Sequence, residues 1–218
     1  PDKIVMEVEL PASKSISNRM LILNALCGGE LHNVARCDDT DAMRRALATD
    51  TTASGAVATV NIGAAGTAMR FLTAYYATLE GSTVILDGTE RMRHRPIGVL
   101  VDALRRLGAE ISYLGDEGYP PLAICGRAIE GGSLSVPGNV SSQYISALLM
   151  IAPTLTSDLE LRLTGEIFSR PYIDLTLWMM KEYGAVAEWK DIDTILVKAQ
   201  PYVSRPYYIK NDLSDASD

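Results

Sequence analysis

The chain is 218 residues long, 47% hydrophobic and 22% charged, with a formal net charge of -7; these are globular values, with length for one large domain or two small ones, and they exclude general disorder. The acidic balance also argues against a general nucleic-acid or anionic-membrane binder, which needs surplus positive charge to displace counterions. Any anion site must therefore be a local cluster of cations and hydrogen-bond donors.

The opening PDKIVMEVEL alternates apolar and charged residues like a strand, expected over Val5 to Leu10, and holds no apolar signal core. PASKSISNRMLILNALCGG then reads as a small-polar loop leading into a helix that is apolar on nearly every side, the pattern of a central helix. CDDTDAMRRALATD follows as a weaker outer helix, capped by Asp38, Asp39 or Thr40. NIGAAGTAMRFLTAYYATLEG repeats the central-helix plan, as does VPGNVSSQYISALLMIAP further on. Strands are expected at Thr83 to Asp87, Glu110 to Leu114, Leu122 to Ile124, Gly132 to Val136, Leu159 to Leu163, Val186 to Trp189 and Thr194 to Val197.

GTERMRHRPIGVLVDALRRLGAEISYL and GEIFSRPYIDLTLWMMKEYGAVAEWK share a second plan: Arg-Pro, an amphipathic helix, Gly-Ala, then a strand. Arg95-Pro96 and Arg170-Pro171 lie 75 residues apart, and Gly108-Ala109 and Gly184-Ala185 lie 76 apart. Two helix classes in about three copies, interleaved with short strands, predict an α/β domain of pseudo-threefold symmetry built from a repeated unit. A generic α+β domain whose helices merely look alike is the alternative. The closing NDLSDASD reads like a capping run before a helix, so the sequence is expected to be a fragment.

The three cysteines, Cys27, Cys37 and Cys125, have neither disulfide-framework nor zinc spacing and are expected as reduced thiols. The longest apolar run, Ala147 to Pro153, is too short to cross a bilayer. A soluble cytoplasmic protein is expected, and the sequon Asn139-Val140-Ser141 is then incidental.

Dinucleotide-binding, P-loop and zincin motifs are absent, and only two histidines, His32 and His94, are present. The remaining candidates are helix starts, whose unpaired N–H groups and partial positive charge favour phosphate or carboxylate. The first adds Lys14 and Arg19 to Ser13, Ser15 and Ser17; the second has Gly63-Ala64-Ala65-Gly66-Thr67 with Arg70 one turn inside. The third offers Ser141, Ser142 and Gln143, while Ser169 and Tyr172 flank Pro171, and Arg91, Arg93 and Arg95 precede an outer helix. Singly, each has an ordinary explanation: serine caps are worth about 1 kcal/mol, small residues allow tight packing, and arginine runs form solvated faces. Together they point to a dianion pocket, because the repeat brings the three inner helix starts to one end of the domain.

LPASKSISNR, GAAGTAMR, RMRHRPIGVLVDALRRLGA, VSSQYISALLM and SRPYIDLTL occur in that order and resemble the 5-enolpyruvylshikimate-3-phosphate synthase family over essentially the whole chain. The motifs correspond to about the first half of such an enzyme. The resemblance implies an inside-out α/β barrel of repeated β-α-β-α-β-β units. Residues 11–210 would form the shikimate-3-phosphate-binding domain, 1–10 a strand of the other domain, and 211–218 the start of the crossover to an absent second domain. It implies enolpyruvyl transfer from phosphoenolpyruvate to the 5-hydroxyl of shikimate 3-phosphate, on the route to aromatic amino acids, by a monomer without metal or organic cofactor.

Carried over residue by residue, Ser15 and Arg19 would hold the shikimate carboxylate. Ser141, Ser142 and Ser169 would hold the 3-phosphate, with Gln143 and Tyr172 against the ring. Lys14 would be catalytic and touch both substrates; Gly66, Thr67, Arg91 and Gln143 would face phosphoenolpyruvate, supported by Arg70. Ala64 stands where the family has Asn, removing an amide from that subsite and bearing on phosphoenolpyruvate affinity and glyphosate sensitivity. Phe71 replaces a common proline, and Ala48 to Val60 is short enough to reduce one strand pair. Without the second half the chain is expected to bind shikimate 3-phosphate weakly and to be inactive alone. Lys14-Ser15 followed by Asn18-Arg19 favours this family over the sister UDP-N-acetylglucosamine enolpyruvyl transferases. A non-catalytic phospholigand-binding module is the alternative from another class.

Overall fold

The computed structural model describes residues 11–27, 31–32, 37–203 and 207–208, with side chains for 14–27 and 37–203. The strand expected at Val5 to Leu10 and the assignments of 1–10 and 211–218 lie outside the described residues. Among them, the α-helices are α1 (Pro11–Cys27), α2 (Asp38–Ala48), α3 (Gly66–Thr78), α4 (Gly98–Arg106), α5 (Ser142–Ile151) and α6 (Arg170–Glu182). No described helix is long and apolar enough to cross a membrane.

Two four-stranded sheets share one topology. The strands β2 (Ala58–Asn61), β3 (Thr83–Asp87), β4 (Glu110–Tyr113) and β5 (Leu122–Cys125) lie in the order β2-β3-β5-β4. The strands β6 (Gly132–Pro137), β7 (Leu159–Thr164), β8 (Ala187–Trp189) and β9 (Thr194–Val197) lie in the order β6-β7-β9-β8. In each, the first pair is parallel and the other two are antiparallel. A parallel pair needs a crossover, supplied by α3 in one unit and α5 in the other. The expected β-α-β-α-β-β repeat is therefore present in two full copies, residues 58–125 and 132–197.

The repeated Gly-Ala closes α4 and α6 in the same way. Gly108 (φ 100°) and Gly184 (φ 81°) take the left-handed conformation that suits a residue without Cβ. The amides of Ala109 and Ala185 then reach back five residues, to the carbonyls of Leu104 and Met180, as in a Schellman cap.

The third copy is partial: α1 and α2 are followed by residues 49–57, which hold no strand, so the hairpin pair is missing where the sequence is short. Its sheet consists, among the described residues, of β1 (Leu31–His32) paired in parallel with β10 (Tyr207–Tyr208). The helices complete the symmetry. The inner helices α1, α3 and α5 touch one another, while α2 bridges α1 and α3, α4 bridges α3 and α5, and α6 bridges α5 and α1. Burial follows these roles. Every residue of α5 from Tyr144 to Ile151 is buried, whereas α4 buries only the stripe Leu100, Val101, Ala103 and Leu104.

Two local expectations are corrected. Helix α1 already begins at Pro11, whose fixed φ and missing N–H suit a first turn, so Lys14 and Ser15 are helical rather than in a preceding loop. The N-cap of α2 is Cys37, not Asp38, Asp39 or Thr40. The Thr40 hydroxyl accepts from the Cys37 amide at 3.0 Å, and Asp38, Asp39 and Asp41 fill the first turn, where the helix dipole favours negative charge.

Candidate functional site

Arg19 lies at the centre of the helix bundle, only 2% exposed. Its Nε donates to Thr176 Oγ1 (2.7 Å), Nη1 to the Ser15 carbonyl (3.1 Å) and Nη2 to Ser146 Oγ (3.1 Å). Ser146 and Thr176 are themselves 2.8 Å apart. The guanidinium carbon is 5.4 Å from the Phe71 ring centre and 6.0 Å from that of Tyr172. Four helices thus meet at one cation, and among the described residues no carboxylate pairs with it.

Burial pulls the Arg19 pKa down from 12.5 to about 10, with the Tyr172 phenol acting weakly the other way. The group stays charged at neutral pH at a burial cost of roughly 3 kcal/mol. An incoming carboxylate would offset that cost and use the donors the hydroxyls leave free, since a guanidinium carries five. Ser15 contributes its carbonyl to Arg19, not its hydroxyl.

The starts of α5 and α6 form the second part of the site. Ser141 is the N-cap of α5, its Oγ accepting from the Gln143 amide at 3.3 Å. Ser169 is the N-cap of α6 and the one non-glycine among the described residues with positive φ (54°). Its exposed hydroxyl makes no cap bond, unlike that of Ser141. The Phe168 amide donates to the Gly138 carbonyl at 2.9 Å, pinning the segment before α6 to the one before α5. Two helix N-termini and three serines therefore lie on neighbouring segments, a ready donor set for a phosphate.

Gln143 joins this part to the third. Its Nε2 donates to Thr67 Oγ1 at 2.8 Å, and its Oε1 accepts from Arg70 Nη1. Arg70 also lies over the Tyr144 ring, 5.1 Å from its centre. The first turns of α3 and α5 are thereby locked together, and Arg70, half-buried, lies against Gln143.

Beside them is a depression of about 470 Å³ lined by Ala64, Thr89, Arg91, Met92 and Arg95. The arginine cluster divides here. Arg93 is engaged by Asp87 through two bonds of 3.0 and 2.7 Å, and its side-chain hydrogen bond holds the Asp87 carboxyl below its ordinary pKa. Arg91 and Arg95 line the depression. Lys14 is exposed on α1 and does not line this depression.

Arg95 belongs to the arginine cluster picked out in the sequence but is given no ligand role by the resemblance; its guanidinium lies against Gly66. A Cβ at Gly66 would come within 2.8 Å of Arg95 Cζ, so glycine is what lets the cation rest over the start of α3. The available signal was Pro96. A residue before proline is held extended, and Arg95 has φ -95° and ψ 121°, which turns it away from the short 3-10 turn Met92–His94 that carries Arg93.

A family model described as EPSP synthase (3-phosphoshikimate 1-carboxyvinyltransferase) matches residues 48–218. The chain belongs to the EPSP synthase family. It is 54% identical over its whole length to the 3-phosphoshikimate 1-carboxyvinyltransferase of Bacteroides fragilis strain YCH46, covering 52% of that protein. It is 43% identical to the same-named protein of Mannheimia haemolytica, over 97% of this chain and 55% of that one. The chain thus spans about half the length of the curated relatives it matches. The solved EPSP synthase of Acinetobacter baumannii superposes with a TM-score of 0.76 at 19% identity, over 93% of this chain and 49% of the other. The fold is therefore the EPSP synthase fold.

Proposed function

We propose that this chain is the shikimate-3-phosphate-binding half of a cytoplasmic enzyme that transfers the enolpyruvyl group of phosphoenolpyruvate to the 5-hydroxyl of shikimate 3-phosphate, releasing phosphate. The observation that carries the reading is Arg19, a buried cation ringed by hydroxyls and aromatic rings with no carboxylate partner among the described residues. Arg19 with Ser15 takes the shikimate carboxylate. Ser141, Ser142 and Ser169 take the 3-phosphate, and Gln143 and Tyr172 bound the ring. Gly66, Thr67, Arg91 and Lys14 serve phosphoenolpyruvate, with Arg70 supporting Gln143; the position of Arg95 over Gly66 adds it to this group.

The reaction is an addition of the hydroxyl to the enol double bond followed by elimination of phosphate. This chain's part is to hold two anions side by side and to present fixed donors to charge that develops between them. In the same proposal, residues 11–210 form the substrate domain, 1–10 and 211–218 lead to a second domain that completes the site, and the whole enzyme is a monomer.

Calorimetric titration of the 218-residue chain with shikimate 3-phosphate tests the reading. Weak binding, further weakened by Arg19→Ala and by Ser141→Ala with Ser142→Ala, is the expected result. Binding unaffected by both variants would refute the site assignment, and turnover by the chain alone would refute its role as half of the enzyme.

A further inference from the structure

Tyr144 follows Gln143 directly and is 8% exposed, but none of the ligand roles above uses it. Its phenol donates to the Pro96 carbonyl at 2.5 Å. That carbonyl belongs to the residue immediately after Arg95. Its ring carries the Arg70 guanidinium at 5.1 Å, and Arg70 in turn donates to Gln143. Gly66, Arg70, Arg95 and Pro96 line one narrow crevice next to the larger depression. The phenol therefore reaches from the first turn of α5 across to the segment that carries Arg95.

We propose that the Tyr144 hydroxyl is a positioning group that latches the Arg95-Pro96 segment to α5 and so holds the Arg95 guanidinium over Gly66. Arg95 is exposed and, among the described residues, has no acidic partner, so nothing in its own side chain fixes it there. A flexible arginine left to itself samples many rotamers. Proline fixes φ at 96 and restrains Arg95 to the extended region, and the phenol bond fixes where that rigid pair sits. The two latches on α5 are consecutive residues: Gln143 holds the start of α3 and Tyr144 holds the start of α4's lead-in. One turn of α5 thus sets the relative position of Gly66 and the cation above it. The consequence for binding rests on the function proposed above; the latch itself does not.

The test uses the chain with arginine side chains labelled with nitrogen-15, comparing the original with Tyr144→Phe. The latch predicts that the Arg95 Nε–Hε heteronuclear NOE, which reads picosecond-to-nanosecond order, falls in Tyr144→Phe to the value of Arg91, while Arg19 and Arg70 keep theirs. Titration with phosphoenolpyruvate on the Arg95 signal should show affinity reduced about fivefold, the worth of one neutral hydrogen bond, with affinity for shikimate 3-phosphate unchanged. An Arg95 that stays as ordered in Tyr144→Phe as in the original overturns the proposal. So does a loss of order shared equally by Arg19 and Arg70, which would make Tyr144 a packing residue only. If phosphoenolpyruvate leaves Arg95 unmoved in the original chain, the assignment of that subsite fails, and the comparison of NOE values still decides the latch.

Discussion

The side-chain amide of Gln143 on α5 donates to the hydroxyl of Thr67 on α3 at 2.8 Å, and this one bond spans the two repeat units that contribute complete sheets. Gln143→Leu keeps the size of the side chain but leaves Thr67 and Arg70 without their partner. We expect it to lower stability by about 1–3 kcal/mol, as for other half-buried hydrogen-bonded groups orphaned by substitution. A denaturant midpoint that shifts by less than 0.3 of the change seen for a core truncation such as Leu149→Ala, for which ~2–5 kcal/mol is expected, would show that the bond adds little.

Arg19→Met should separate stability from binding. The substitution removes a buried charge without a counterion and leaves Ser146 and Thr176 bonded to each other at 2.8 Å, with Thr176 also donating to the Tyr172 carbonyl at 2.9 Å. Replacing buried charge by an apolar side chain of similar volume is often stabilising by about 1–4 kcal/mol. The Arg19 pKa of about 10 lies below its ordinary 12.5, so the burial cost is fully present at neutral pH and is relieved only as pH rises through about 10. The expected outcome at pH 7 is a melting temperature equal to or above the original and no calorimetric response to shikimate 3-phosphate. A large loss of stability would mean that Arg19 is a structural keystone.

Ser169 offers a similar test through backbone strain. A non-glycine residue held at φ 54° costs about 1 kcal/mol, and glycine visits that region freely. Ser169→Gly should therefore raise stability by ~0.5–1 kcal/mol, while Ser169→Ala keeps the strain and loses only the hydroxyl. Both should weaken shikimate 3-phosphate binding by a similar factor in calorimetry. If Ser169→Ala binds as tightly as the original, the hydroxyl has no part in holding phosphate.

The repeat was readable in the sequence because its marks are local. Gly108-Ala109 and Gly184-Ala185 encode helix ends through backbone conformation, and the even burial of α5 is written in SQYISALLMI itself. The strand β2 was not foreseen: it is an edge strand that buries only Val60 among four residues, so its alternation is faint. Arg95 was passed over for Arg91 for a different reason. Which of three alternate arginines is free depends on Asp87, which claims Arg93, and on Gly66, which makes room for Arg95. Both are tertiary partners that spacing alone does not reveal. The same holds for Arg19, where the cation was legible but its ring of hydroxyls from α5 and α6 was not.

Asp87 provides the pH-dependent test. Its carboxylate accepts two bonds from Arg93 and one from the Gly88 amide at 2.8 Å, fixing the turn that separates Arg91 from Arg95. The Arg93 hydrogen bond is the main reason its pKa lies below the ordinary 3.8, with burial opposing it. A carboxyl whose pKa is lower in the folded state stabilises the fold above its unfolded value and loses that contribution as pH falls through the folded value. Because Arg93 is 44% exposed, solvent screening keeps the contribution of the pair small. Asp87→Asn should therefore be slightly less stable than the original at pH 7, and the two unfolding curves should converge as pH drops below 3.8. A gap that persists unchanged into strong acid would assign the loss to the Gly88 bond and the local turn, not to the ion pair.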